Sequence, residues 1–334
     1  MNGGGADLAA LEAAGVELHA STDVWTSLAS DVLHGLLATP KTLPPKWFYD
    51  GRGSDLFERI TELDEYYLTR RERALLESAG AGIVAEVAAG ELVELGSGSC
   101  AKTPLLLDPM AASGQLERYL PVDISAAVIE AALPRLVDRY PDLQIVGEIC
   151  DFTRHLGRLE RPTGAPRLVA FLGSTIGNLQ PVEVREFLHD LRPALRPDDA
   201  LLVGTDLVKD VRVLEAAYND GDGVTAAFNG NLLTVINREL KADFDLATFT
   251  HEAAYNPTLE RIEIRLRSTQ AQVVRLEALG IEVTFLAGES ILTEISRKFT
   301  RQSVERAYAE GGFRIRGWYE DADGGYALSL ASPA

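Results

Sequence analysis

Gly96-Ser97-Gly98 ends an apolar run, Glu91 to Leu95, and Lys102 follows within one turn's reach. Glycines accept the left-handed backbone of a tight turn and let a ligand approach the main chain. The cation behind them can pair with a carboxylate or a phosphate. With Ala101 the loop also satisfies the relaxed dinucleotide fingerprint G-x-G-x-x-G/A. Alone, the pattern fits a bare structural turn as well as a ligand loop. Asp123, Asp151-Phe152 and Asn178 then fall at the ends of successive predicted strands. A carboxylate at Asp123 can accept both hydroxyls of a ribose. Asp151 can accept an amino hydrogen of adenine, and Phe152 can pack on the ring face. A lone aspartate at a strand end is commonly a helix cap. The set in register, after a glycine turn, points to a nucleoside site.

Such a site requires strands alternating with helices, because ligands of open α/β sheets bind beyond the carboxyl ends of the strands. ELVEL (91–95), ERYLPVDIS (117–125), LQIVGEICDF (143–152), RLVAFLGSTIGN (167–178) and ALLVGTDLV (200–208) have strand character. Helical stretches such as SAAVIEAALPRLVDRY and PVEVREFLHDLRPAL separate them, which predicts a parallel sheet with crossover helices. A helix opening directly after Gly98 would aim its free N–H groups at the ligand. Two β-rich runs around Asp323-Gly324-Gly325 signal a C-terminal hairpin. Five strands completed by a hairpin suit an S-adenosylmethionine-dependent methyltransferase sheet better than a dinucleotide-binding domain.

The flanking segments predict a second lobe. Residues 21–39 carry an amphipathic helix, and Trp47, Phe48, Tyr49 and Phe57 crowd the Pro-rich stretch after it. Ser54-Asp55 can cap a helix through Leu56, Phe57 and Ile60. Tyr66 and Tyr67 stand at a helix break, either as core of a packed lobe or as an aromatic lid over a small ligand. Past residue 210 the rhythm changes to helices (Val211–Tyr218, Val224–Leu240) and alternating strands such as ERIEIRLRS. The expected fold class is therefore α/β: a Rossmann-like class I methyltransferase sheet with a C-terminal β-hairpin, plus a smaller α+β substrate-binding lobe. Residues 91–209 and 296–334 would form the first, residues 21–90 and 210–295 the second. The Gly- and Ala-rich residues 1–20 would be disordered.

Composition narrows the function classes. The 334 residues contain 46% hydrophobic side chains, enough for a full core. A net charge of −18 repels phosphate backbones and anionic lipid, which argues against nucleic-acid substrates. No apolar run reaches membrane-spanning length and the N-terminus lacks a signal-peptide pattern. Two cysteines, Cys100 and Cys150, imply a reducing compartment, and five scattered histidines offer no metal-ligand spacing. A cytoplasmic, metal-free, monomeric enzyme acting on a small molecule is expected.

The segments LPPKWFYDGRGSDLFERIT, EYYLTR, LVELGSGS, FLGSTIGNL, GTDLVKD, GVTAAFN, NREL-ADFD and LTEIS-KF together resemble the L-histidine Nα-methyltransferases of ergothioneine biosynthesis. The resemblance runs from about residue 30 to the C-terminus. It implies trimethylation of the histidine α-amine, through the mono- and dimethyl forms, to hercynine, with S-adenosylmethionine as methyl donor. By position it implies that Gly96, Lys102, Asp123, Asp151 and Phe152 bind the donor. It gives Tyr66, Asn178 and Tyr218 the amino and carboxylate ends of the substrate, and Glu294 and Ser296 the imidazole; Tyr66 and Asn178 are the catalytic candidates. Lys102 is then partner to the donor's methionine carboxylate, and Tyr66 and Phe48 are candidates to favour the growing cation. Where the family commonly carries Met in the RIE-x-x-LR strand, this chain has Ile264, which bears on the side-chain pocket. Competing readings are Nα-methylation of another aromatic amino acid, a nicotinamide-dependent oxidoreductase, and a non-catalytic ligand sensor.

Overall fold

Buried apolar runs spaced by amphipathic helices generate the strands of the larger sheet. In chain order the strands are β1 (Val16–Ala20), β2 (Lys41–Thr42), β3 (Glu91–Leu95), β4 (Arg118–Asp123), β5 (Gln144–Ile149), β6 (Arg167–Phe171) and β7 (Ala200–Asp206). They continue with β8 (Phe249–Asn256), β9 (Arg261–Ser268), β10 (Gln272–Leu276), β11 (Ile281–Phe285), β12 (Ser290–Arg297), β13 (Phe313–Glu320) and β14 (Tyr326–Pro333). The computed structural model describes residues 15–20, 24–155, 161 and 164–334. The chain divides into two units. Unit 1 holds β1, Leu68–Val208 and Phe299–Ala334; unit 2 holds residues 24–67 and Lys209–Lys298. Among the described residues no helix is long and apolar enough to cross a membrane.

Unit 1 is built on an eight-stranded sheet of order β1-β5-β4-β3-β6-β7-β14-β13. The strands from β1 to β7 pair in parallel, and β14 then β13 close the sheet antiparallel. The order reverses between β3 and β6. Their carboxyl ends therefore form the crevice where doubly wound sheets take ligands. The Gly96-Ser97-Gly98 loop leaves one of these strands, and Gly173 follows the other.

Two expectations need correction here. Val16–Ala20 lies inside the segment expected to be disordered, yet it is a strand pairing in parallel with β5. Without it β5 would present an unpaired row of backbone groups, and Leu18 packs where Gly147 leaves room for it. Residues 1–14 lie outside the described residues. The helix Leu68–Val87, expected in the smaller lobe, belongs to unit 1 and packs on β14 and on the helix Pro104–Ala112. Its face of Leu68, Leu75, Leu76, Ile83, Val84 and Val87 is buried, and so is one charged residue, Glu72.

Glu72 explains why that helix belongs there. Its side chain is 0% exposed. The carboxylate accepts the Gly173 N–H at 2.7 and 2.9 Å, the Tyr326 hydroxyl at 2.7 Å, and an ion pair from Lys102. A buried charge is tolerable only with such a full set of partners. The sheet makes space for it at Gly204 on β7, where a Cβ would lie 2.0 Å from Glu72 Oε1 and 2.7 Å from the Tyr326 hydroxyl.

Unit 2 contains a four-stranded sheet, β2-β12-β9-β8, and a separate hairpin of β10 and β11. The helix Val224–Leu240 lies on β8 and β9 and against the helix Gly51–Glu62. The latter begins earlier than expected: Asp50, not Ser54-Asp55, caps it, accepting the Gly53 N–H at 2.8 Å. Asp50 also accepts Asn231 Nδ2 and Arg238 Nη1, each at 2.8 Å, and so ties that helix to Val224–Leu240. Glu294 and Ser296 both lie on β12 in this unit, whereas the expected boundary at 295 would have separated them.

Gly204→Ala should therefore crowd Glu72 and lower stability by about 1–3 kcal/mol, measured as a reduced denaturant midpoint. The added Glu72→Ala substitution should recover part of that loss, since contacting sites couple; simple additivity would refute the crowding.

Candidate functional site

In unit 1 the glycine loop has the backbone its sequence demands. Gly96 (φ +67°) and Gly98 (φ +52°) are left-handed, and a Cβ on either would meet nothing within 4 Å. Backbone is thus exposed to open space beside the crevice, a cradle that side chains would fill. Asp123, at the end of β4, holds the loop: Oδ2 accepts the Gly98 N–H at 2.9 Å and Oδ1 the Ser125 N–H at 2.9 Å. Burial pushes its carboxyl above the usual aspartate range, and those two N–H groups pull it back. An ionised carboxylate has acceptor sites beyond these two, so ribose hydroxyls can still be taken.

The loop does not run straight into a helix. The next helix starts only at Pro104, and Cys100 occupies a left-handed conformation in the intervening turn. No array of helix N–H groups therefore meets the glycines, and the pyrophosphate cradle expected from the dinucleotide fingerprint is not built. Two carboxylates stand close by instead. Glu72 is one. Glu94, fully buried in β3, accepts the Thr103 hydroxyl at 2.6 Å and the Tyr119 hydroxyl at 2.7 Å, and burial raises its pKa.

Asp151 starts the short helix Phe152–His155 and accepts the Thr153 N–H at 3.1 Å and its hydroxyl at 2.5 Å. It thus does the local capping that is the bland reading of such a residue. Phe152 packs edge-on to Phe171 (centroids 5.2 Å apart) while staying partly exposed, so a fixed ring face remains. Asn178 ends the turn Thr175–Asn178 after β6 and belongs to unit 1. Lys102 has three N–H donors, and Glu72 takes one of them. That leaves donors for a ligand carboxylate, with the ammonium held in place.

Unit 2 gathers the other candidates. Tyr66 and Tyr218 meet edge to face with centroids 6.1 Å apart, and Tyr66 also meets Phe57 at 6.3 Å. Phe57, Tyr49 and Phe48 all pack on Phe228. Phe48 is 0% exposed and packs within this aromatic cluster. The Tyr218 hydroxyl bonds Ser296 Oγ at 2.8 Å.

A β-bulge aims β12. Its register against β9 shifts between Leu292 and Glu294, so that Glu294 opposes Ile264 and Ser296 opposes Ile262. Opposed residues share a face. Glu294 and Ser296 therefore stand on the face carrying buried Ile262 and Ile264, where unbroken alternation from Ile291 would have turned them away. The bulge is pinned by Thr293, whose hydroxyl bonds Asn229 Oδ1 at 2.7 Å. Asn229 Nδ2 in turn donates to His251 Nδ1 at 2.9 Å, and His251 Nε2 donates to the Tyr218 carbonyl at 2.8 Å. Burial lowers the His251 pKa, in keeping with a neutral ring that accepts on one nitrogen and donates on the other.

Sequence reasoning missed Glu72, Lys298 and the network of Thr293, Asn229 and His251. For Lys298 the signal was present: it lies two residues beyond Ser296 in LTEIS-KF. For Glu72 there was none, since a charge in an amphipathic helix ordinarily faces water.

A family model described as histidine-specific methyltransferase, SAM-dependent, matches residues 28–333. A histidine N-alpha-methyltransferase of Mycolicibacterium smegmatis is 51% identical over 305 residues, covering 91% of this chain and 94% of that protein. One of Mycobacterium tuberculosis is 48% identical, covering 92% and 95%. An L-tryptophan methyltransferase of Psilocybe serbica is 30% identical, covering 90% and 91%. The strand order, with its antiparallel closing hairpin, is the Rossmann-like class I arrangement that such a match calls for. The chain belongs to the histidine-specific, S-adenosylmethionine-dependent methyltransferase family.

Proposed function

We propose that the protein transfers methyl groups from S-adenosylmethionine to the α-amine of L-histidine, three times in succession, giving hercynine, the first step of ergothioneine biosynthesis. One observation carries the choice of amino acid: the β12 bulge puts an acceptor, Glu294, and a hydroxyl, Ser296, on one face of the strand. Glu294 accepts an imidazole N–H, and Ser296 serves the other nitrogen. An amino acid with a phenyl side chain would leave the carboxylate unpaired, a strong ground for rejection.

In this reading the donor supplies a methyl group on a sulfonium, a reaction that needs an unprotonated amine in line with the S–CH₃ bond. Asp123 accepts the ribose hydroxyls, Asp151 and Phe152 take the adenine, Lys102 pairs with the methionine carboxylate, and Gly96 leaves the main chain accessible. Asn178 orients the amine without adding charge. Tyr66 and Tyr218 present hydroxyls and ring faces to an amine that gains charge and loses N–H donors with each methyl. Rate enhancement comes from positioning and exclusion of water. Both cysteines are free and buried, which suits a cytoplasmic enzyme, and we read it as a monomer acting on the free amino acid. Family membership sets aside the nicotinamide oxidoreductase. The sensor reading ends if any turnover is seen.

The competing substrate is another aromatic amino acid, because Ile264, directly opposite Glu294, is branched where the family commonly carries Met. Mass spectrometry of purified protein with S-adenosylmethionine and free amino acids, tryptophan included, decides between them. Trimethylhistidine is expected, and its absence would sink the histidine reading. Glu294→Ala should lower kcat/KM for histidine about 10- to 100-fold and leave S-adenosylhomocysteine affinity nearly unchanged; equal loss of both refutes the role. Asp123 yields a pH prediction. Its raised pKa means it is protonated at higher pH than an ordinary aspartate. S-adenosylhomocysteine affinity should then begin to fall while the pH is still above about 3.9. Asp123→Asn should bind more weakly but lose that slope; an unchanged slope would assign the titration elsewhere.

A further inference from the structure

We propose that Thr293, Asn229 and His251 are positioning residues that hold the β12 bulge in the register that aims Glu294 and Ser296, and so set the affinity for the amino acid; the inference rests on the functional reading above. Asn229, the last residue of GVTAAFN, is 1% exposed on the helix Val224–Leu240. Its amide meets three groups: Thr293 Oγ1 at 2.7 Å, His251 Nδ1 at 2.9 Å and the Arg265 carbonyl at 3.0 Å. His251 Nε2 reaches the Tyr218 carbonyl at 2.8 Å. Asn219 Nδ2 ties the same segment to β8 a second time, at the Ala253 carbonyl, 2.9 Å away. One buried amide thus joins the bulge, β9 and, through His251 on β8, the main chain of Tyr218.

The two carbonyls at the ends of this chain fix its polarity, because a carbonyl only accepts. The Asn229 atom that faces Arg265 must be the NH₂ group, so Oδ1 faces Thr293 and accepts its hydroxyl. The second amide hydrogen goes to His251 Nδ1, which must be bare. His251 Nε2 then carries the ring proton and gives it to the Tyr218 carbonyl. Turning the amide over would set oxygen against the Arg265 carbonyl. Moving the ring proton to Nδ1 would set N–H against N–H. The network therefore requires the neutral imidazole with its proton on Nε2.

A bulge leaves its extra residue outside the ladder. Here that residue is Thr293, which has no partner position on β9 and is 0% exposed. Its hydroxyl has one other acceptor in reach, the Ile264 carbonyl at 3.1 Å, but only the bond to Asn229 fastens the bulge to a different element. Without that anchor β12 can return to regular alternation, which turns Glu294 and Ser296 off the face of Ile262 and Ile264. A ligand that needs the bulge then binds only the fraction of molecules that keep it. The apparent dissociation constant grows as the inverse of that fraction, while molecules that have bound react as before. The network therefore acts on KM and hardly on kcat.

The test is steady-state kinetics and calorimetry with L-histidine on Thr293→Val, which keeps the shape and removes the hydroxyl. KM should rise roughly 5- to 50-fold, as for one buried acceptor left unpaired, while kcat changes less than about threefold. S-adenosylhomocysteine affinity should stay at the wild-type value. Thr293→Ser restores the hydroxyl and should restore KM. His251→Phe keeps a ring without its nitrogens and should raise KM as well; it decides the matter alone if Thr293→Val does not fold. The double variant should fall short of the product of the single effects, because both interrupt one chain. Nitrogen NMR of the unmodified protein at neutral pH should show a bare Nδ1 and a protonated Nε2 for the resonances that His251→Phe removes. A wild-type KM in either folded variant overturns the proposal. So does an equal loss of S-adenosylhomocysteine affinity, a Thr293→Ser variant as impaired as Thr293→Val, fully multiplicative effects, or a proton on Nδ1. Unmodified protein is scored first: no histidine turnover there sinks both readings, whereas normal turnover with unaltered variants sinks only the role of the network.

Discussion

Taking the Glu72 carboxylate out of water is the demand around which unit 1 is arranged. A desolvated carboxylate costs several kcal/mol unless its lone pairs are filled. The Gly173 N–H, the Tyr326 hydroxyl and Lys102 fill them. Those partners come from the loop after β6, the strand β14 and the turn after β3, so one charge fastens pieces far apart in sequence. Gly204 then has to lack a side chain, and the helix Leu68–Val87 has to lie on the sheet. The carboxylate also holds Lys102 and the Gly173 loop beside the point where the strand order reverses, the place where doubly wound sheets take ligands. The stability of the sheet and the geometry of its crevice thus share one interaction.

The sequence was most legible where periodicity follows from burial. The strands β3 to β7 and the closing hairpin stand where alternation and apolar runs put them. The glycine loop was legible because a left-handed backbone admits few residue types. Legibility ended where a residue's role depends on what meets it in space. Glu72 and Lys298 carry the most hydrophilic kinds of side chain, and each is almost wholly buried. Val16–Ala20 falls in the Gly- and Ala-rich segment expected to be disordered, but the unpaired edge of β5 recruits it. The boundary near residue 90 followed the start of the strand–helix rhythm at Glu91, whereas the chain divides before Leu68.

The aim of Glu294 and Ser296 belongs to the same class of hidden information. Strict alternation along Ile291, Thr293 and Ile295 predicts that Glu294 points away from the buried face. One extra residue at the bulge reverses this. The reversal is held from outside the strand, by Thr293 bonded to Asn229 and Asn229 bonded to His251. A pattern read on β12 alone could not register a bond made by a helix some 60 residues earlier, near the contact separation of 64.

Each unit holds a buried ion among fixed partners, and the two ions have opposite charges. In unit 1 a buried anion, Glu72, orders a cation and a main-chain N–H. In unit 2 a buried cation, Lys298, orders two hydroxyls. In both, the ion spends its field on fixed neighbours in a low-dielectric setting, where each bond is strong and reorientation is expensive. Preorganised dipoles of this kind supply the largest electrostatic benefit in enzymes.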